Sequence, residues 1–167
     1  MESDEVDRLI EAWRRERPDV DVSPMAVFSR VGRLSWHLDR ARRAAFSEHG
    51  IERWEFDVLA ALRRAGPPYE LTPGRLLAQT MVTSGTMTAR VDKLTARGLV
   101  ERRPDEDDRR AVRVRLTDRG RRVVDGALDV LLAGERTLLA GLDENEQAAL
   151  ATLLRRLVLP LDDASAG

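Results

Sequence analysis

A mostly α-helical fold carrying one small β-hairpin is what this sequence predicts, and three observations predict it. Only 4% of the 167 residues are aromatic while 34% are charged, the balance of a helical protein with solvated faces. Apolar residues recur at steps of three and four along most of the chain, the period of helices with one buried side. Between residues 99 and 116 the period changes to alternation, which is the mark of half-buried strands.

The elements follow in order. Val6, Leu9, Ile10 and Trp13 share one side of a helix over residues 6–17, which Pro18 ends. After the polar link 19–23, Ser23 stands as an N-cap and Pro24 at the first helical position of a long helix reaching Glu48. Its stripe of Val27, Val31, Leu34, Leu38, Ala41 and Ala45 is too long for the core of a single small lobe, so it calls for a partner surface. His49-Gly50 breaks this helix, and Trp54, Val58, Ala61 and Leu62 form the packed face of the next one, which stops at Gly66-Pro67-Pro68.

Thr72 then caps a short helix with Pro73 in its first turn, continuing to Thr80. The stretch 83–98, TSGTMTARVDKLTARG, is a second helix with Thr83 or Ser84 as cap and Gly98 as its left-handed stop. Met87, Val91 and Leu94 form its dry face, while Gly85, Ala89, Asp92 and Ala96, flanked by Thr88 and Lys93, leave the other side small and polar. Short helix, tight turn and second helix make a helix-turn-helix. The two strands, around Leu99–Arg103 and Val112–Leu116, are joined by a charged loop from Pro104 to Arg110, and a hairpin in that position is a wing. Thr117 caps a helix over residues 118–140. A capping box of Asp143 and Glu146 opens the last helix, which Pro160 stops ahead of a disordered tail.

Charge narrows the function. The whole chain carries a formal net charge of −1, but residues 90–122 hold twelve Arg or Lys against seven Asp or Glu, an asymmetry that steers a polyanion to that region. There is no cysteine, which removes disulfides, thiolate metal sites and thiol redox sensing. Two histidines, His37 and His49, make no recognisable metal cluster, and neither lies beside a plausible nucleophile. With no Gly-rich phosphate loop either, the chain is expected not to be an enzyme and to use no cofactor or metal. The acidic start MESDEVD is no signal peptide and no apolar run approaches a membrane span, so a cytoplasmic location is expected.

The run Arg97-Gly98-Leu99-Val100-Glu101-Arg102-Arg103-Pro104, then Asp107-Asp108-Arg109-Arg110, then Val114-Arg115-Leu116-Thr117-Asp118-Arg119-Gly120 resembles the wing and following helix start of the MarR family of bacterial transcription regulators. The likeness extends from about Ser23 to Leu159. It implies a winged helix-turn-helix with N- and C-terminal dimerisation helices, paired as a homodimer on a pseudo-palindromic double-stranded operator. The divisions expected are an extra N-terminal helix at 1–22, a dimerisation helix at 23–50, the winged helix-turn-helix at 51–117, C-terminal dimerisation helices at 118–160 and the tail at 161–167. Thr83, Ser84, Thr86, Thr88 and Lys93 would face phosphates and base edges, and Arg109 and Arg110 would reach the minor groove. Asp108 is expected to fix the wing by pairing with an arginine.

A finer likeness is to the urate-responsive, PecS-like branch of this family. It implies an effector pocket made by Trp13 of the added helix with Asp57, Arg90 and Arg102. An indole offers a stacking face, an aspartate accepts purine N–H donors and arginine forks suit a planar anion. Two readings stand side by side for these residues: that pocket, or a structural Asp57–Arg90 ion pair with Trp13 in the core. The function expected is a repressor released from its operator by a small anionic ligand such as urate. The alternatives are a regulator answering to another phenolic or aromatic ligand, and a helical protein-interaction dimer without DNA binding.

Overall fold

The computed structural model describes residues 3–80, 82–104 and 112–165. The elements run α1 (Glu5–Glu16), α2 (Met25–Glu48), α3 (Arg53–Arg64), β1 (Glu70–Leu71), α4 (Pro73–Thr80), α5 (Ser84–Ala96), β2 (Val100–Pro104), β3 (Val112–Leu116), α6 (Asp118–Leu139) and α7 (Glu144–Ser165). The helix period and the switch to alternation therefore mark real elements.

A single lobe holds the main core. Val58, Leu59 and Leu62 of α3, Leu76 of α4, Met87, Val91 and Leu94 of α5, Val114 of β3 and Val124 of α6 are all buried. Each such side chain contributes about 1.5–3 kcal/mol by leaving water, so this cluster accounts for the lobe's integrity. Leu99 and Val100 enter the core directly after Gly98, whose φ of 66° lets the chain leave α5 by a left-handed step.

The sheet has three antiparallel strands in the order β1-β3-β2, with Leu71 opposite Val114 and Arg102 opposite Val114 on the other side. The hairpin was expected, but β1 was not. Two residues are too few to show a period, and Glu70–Leu71 become a strand only because β3 offers its free edge.

Two other expectations are corrected. Ser23 does not cap α2: Pro24 holds the N-cap position without a side-chain bond, and the Ser23 hydroxyl and amide are both taken up by Asp21. The aspartate's local turn outcompetes the cap. Nor does Pro160 stop α7, which continues to Ser165, so the residues up to there are helical rather than a disordered tail. A proline leaves the carbonyl four residues back without its donor, and here that carbonyl belongs to an exposed stretch where water can serve it.

Outside the lobe, α2 and α6 pack side by side with Ala41 against Gly134, Arg42 bonded to Glu135, and His49 against Gly126. The N-terminal half of α2 runs beyond this contact. Between it and α7 lies an open groove of about 630 Å³, lined by Val27, Val31 and Leu34 on one side and Leu153, Leu154 and Leu157 on the other. All six of these side chains are exposed.

The first helix lies against that same half of α2. Val6 and Ile10 are buried with Val22, against Met25 and Ala26. Asp4 and Asp7, which form the capping box of α1, also accept hydrogen bonds from Arg30 at 2.7–3.0 Å, and Arg33 pairs with Glu5. The Arg30 guanidinium holds the Asp4 carboxyl below its ordinary value of 3.8.

Candidate nucleic-acid interface and effector pocket

The sequence makes α5 a helix with one apolar stripe, and the packing follows from it. Met87, Val91 and Leu94 are 0–2% exposed, whereas Gly85, Thr88, Ala89, Asp92 and Ala96 face solvent. Thr83 is the cap: its Oγ1 accepts from the Thr86 amide at 3.4 Å and lies 2.9 Å from the Thr86 hydroxyl. Thr88 donates to the Ser84 carbonyl at 3.1 Å, so its proton is committed to the helix while its oxygen remains an acceptor. Thr83, Ser84, Thr86, Thr88 and Lys93 all lie on exposed positions of one short helix, the placement a groove-reading role requires. Asp107, Asp108, Arg109 and Arg110 lie outside the described residues.

Among the described residues, no hydrogen bond or ion pair links Trp13, Asp57, Arg90 and Arg102 to one another. Arg90 is half-buried, and its guanidinium carbon sits 5.4 Å from the centre of the Trp54 ring, with the Lys93 ammonium 6.0 Å away over the same ring. Asp57 is exposed and forms no ion pair among the described residues, so the structural Asp57–Arg90 bridge is not made. Arg102 pairs instead with Asp92 of α5 at 2.7 Å.

Trp13 is 46% exposed and is not a core residue. It belongs to the end of α1 that lies at the start of α2, whereas Asp57 follows the end of α2. Twenty-four residues of helix separate the two ends, roughly 36 Å.

Three residues that bear on α5 went unassigned in the sequence. The spacing of Trp54 marks only a packed face, and it is half-buried there, yet its ring also carries the two cations of α5. Glu55 is 3% exposed, and Arg97 bonds to it. The signal available was the Glu52-x-x-Glu55 spacing of a capping box, which the structure forms.

A surface helix seated by three apolar side chains, preceded by a short helix and followed by a hairpin that a third strand extends, defines a winged-helix DNA-binding regulator. The pattern of the MarR family matches residues 49–111. The HTH-type transcriptional regulator PecS of Dickeya dadantii is 39% identical over 153 residues, which cover 92% of each chain. With that extent of identity, the chain belongs to the MarR family of transcription regulators, whose members are not enzymes.

The HTH-type transcriptional repressor NicR of Pseudomonas putida is 29% identical over 143 residues, 83% of this chain and 89% of its own. Among solved structures, a mutant MarR of Escherichia coli complexed with operator DNA superposes with a TM-score of 0.67 and 26% identity, over 83% of this chain and 99% of that one. BpsR of Bordetella bronchiseptica, whose DNA binding is regulated by 6-hydroxynicotinic acid, superposes with a TM-score of 0.58 and 27% identity, over 77% and 98%. Operator DNA is thus the partner of this class of regulator, and ligand-responsive proteins are among the relatives. Among the described residues no helix is long and apolar enough to cross a membrane.

Proposed function

We propose that the chain is a homodimeric repressor whose two α5 helices read a pseudo-palindromic operator, and that a small planar anion, urate being the foremost candidate, releases it. The observation that carries this reading is the seat of Arg90. A guanidinium on the recognition helix rests over an indole with no carboxylate partner among the described residues, one helical turn from the unpaired Asp57. An anionic aromatic ligand would offer Arg90 a stronger, charge-assisted contact than the indole does.

Drawing Arg90 toward such a ligand pulls on α5 between its cap and its stop. The lobes then lose the spacing that successive turns of a duplex demand. Asp57 would accept N–H donors of the ligand, and Arg102, now paired with Asp92, would be the second cation if that pair opens. Trp13 belongs to α1, which packs at the start of α2, and would join such a pocket from the second copy.

Dimerisation rests on the groove between α2 and α7. A row of six exposed aliphatic side chains at helical spacing is the surface that two copies would bury against each other. Thr83, Ser84, Thr86, Thr88 and Lys93 would supply phosphate and base-edge contacts, with Arg109 and Arg110 at the minor groove. A different aromatic anion is the second reading, supported by the 6-hydroxynicotinic acid that regulates the DNA binding of BpsR.

The test is a mobility-shift titration on the duplex upstream of the chain's own gene, with and without urate. A retarded band that urate dissolves supports the whole reading. A band that only hydroxynicotinate or another phenolic anion dissolves transfers it to the second ligand, and no band removes it.

A further inference from the structure

The far end of α5 is fastened by a contact that the DNA-facing side does not use. Arg97 follows the helix directly and donates through Nη1 to both oxygens of Glu55, at 2.5 and 2.6 Å, and through Nη2 to the Gly50 carbonyl at 2.7 Å. Glu55 Oε2 also accepts the Glu52 amide at 2.9 Å, closing the capping box that starts α3. Arg119 of α6 donates to the Arg97 carbonyl at 3.0 Å. One ion pair therefore joins the end of the recognition helix, the turn after α2 and the start of α3, with α6 attached to the same peptide.

Glu55 is the buried charged residue of the described core, at 3% exposure. Burying a carboxylate is costly, and a well-packed apolar pair of the same size would stabilise a fold as well or better. What an ion pair with three bonds supplies instead is direction, because a guanidinium fork donates to its partners only in one plane. Arg90, Lys93 and Arg97 stand at steps of three and four, so the cations over Trp54 and the pair with Glu55 lie along one edge of α5. The first turn of α3 supports that edge at two points, one of them bonded and directional.

We infer that the Glu55–Arg97 pair is a positioning contact that fixes the inclination of the recognition helix on the rest of the molecule, and that operator affinity depends on it although neither side chain binds DNA. The inference rests on the reading of α5 as the operator-reading helix. It also separates two ends of that helix's support: the Arg90 end is held by an indole that a ligand can displace, while the Arg97 end stays fixed and serves as the pivot.

Three full-length variants test it: Glu55→Gln, which keeps the capping box and the volume; Arg97→Gln; and Arg97→Lys, which keeps the charge but cannot reach both Glu55 and Gly50. The measurements are operator affinity as a function of salt, and the thermal unfolding midpoint, on the duplex upstream of the chain's own gene. Both glutamine variants are expected to be folded at the assay temperature and to bind about tenfold more weakly. Arg97→Lys should fall between them and the wild type. The slope of log K against log salt should stay at the wild-type value in all three, because no phosphate contact is removed.

Three results overturn the inference. The first is affinity within twofold of wild type in both glutamine variants. The second is a slope reduced by about one unit in Arg97→Gln with Glu55→Gln unaffected, which makes Arg97 a DNA contact. The third is loss of folding at the assay temperature in all three variants, which makes the pair purely architectural. Failure of the wild type itself to shift the duplex sinks the reading of α5 instead, and is distinct from each of these.

Discussion

The two halves of this molecule bury their apolar residues to very different extents. In the lobe, Val58, Leu59, Leu62, Leu76 and Leu94 are completely enclosed by their own chain. In the stalk, Val27, Val31, Leu34, Leu153, Leu154 and Leu157 recur at the same helical spacing and are 36–55% exposed. Identical periodicity thus produces a finished core in one place and half of a core in the other. The lobe is closed because six short elements, with the adjoining ends of α2 and α6, wrap around one cluster. The stalk is built from long helices, α2, α6 and α7, with the short α1 added, which do not enclose each other's outer faces, so its apolar stripe is left open for the second copy of the proposed dimer.

The sharpest way to break this comparison is to damage the closed half. Leu94→Ala should cost about 2–5 kcal/mol, because a fully enclosed side chain leaves a cavity when truncated. Urea denaturation should show that loss, with operator binding falling alongside it. A stability change under 1 kcal/mol would mean that the lobe is not the self-contained unit described here.

The second test takes the open half. Leu154→Glu puts a charge into the groove beside Leu34 and Val31 without touching the lobe core. It is expected to leave helical content unchanged, convert the dimer to monomer, and weaken operator binding by about 100-fold or more as the paired attachment is lost. Retained dimerisation in this variant would place the interface elsewhere.

How much of this was legible without coordinates differs between the same two halves. In the lobe, Met87-Val91-Leu94 and the Gly98 stop located the recognition helix because burial and period act on the same residues. The caps at Thr72, Thr83, Thr117 and Asp143 were legible for a related reason, since a cap bond spans three residues. Ser23 misled because Asp21, two residues away, takes the same kind of bond first. Pro160 misled because a proline's effect depends on whether water can reach the carbonyl it orphans.

For the candidate pocket the sequence carries residue types but no contacts. Asp57, Arg90 and Arg102 do lie in the lobe, but which group partners Arg90 is decided by the crossing of α3 and α5, information that no spacing contains. Trp13 sits at the far end of the stalk, where a likeness in residue type says nothing of distance. Glu55 and Arg97 are 42 positions apart and meet only in the fold.

A third prediction separates the effector arm from the scaffold. Arg90→Ala should leave the dimer and the unfolding midpoint within experimental scatter, lower operator affinity only a few-fold, and abolish release by urate in a mobility shift. An unchanged urate response would remove Arg90 from the pocket.

The smallest effect is expected for α1. Arg30→Ala removes the partner of Asp4 and Asp7 and should increase amide exchange in α1 while leaving the lobe unaltered. The pH dependence has a definite sign. The Asp4 carboxyl is held below 3.8, so its contribution to docking is fully present above that value and is lost as pH falls through the lower folded value. Protection of α1 in the wild type should accordingly be flat from pH 8 to about pH 5 and decline only below about pH 4.

The most direct measurement of the central claim is sedimentation equilibrium of the purified full-length chain at micromolar concentration, alone and with its operator duplex. The account predicts a particle of twice the chain mass in free solution and two chains on each duplex. A monomer in free solution that also binds singly would contradict it.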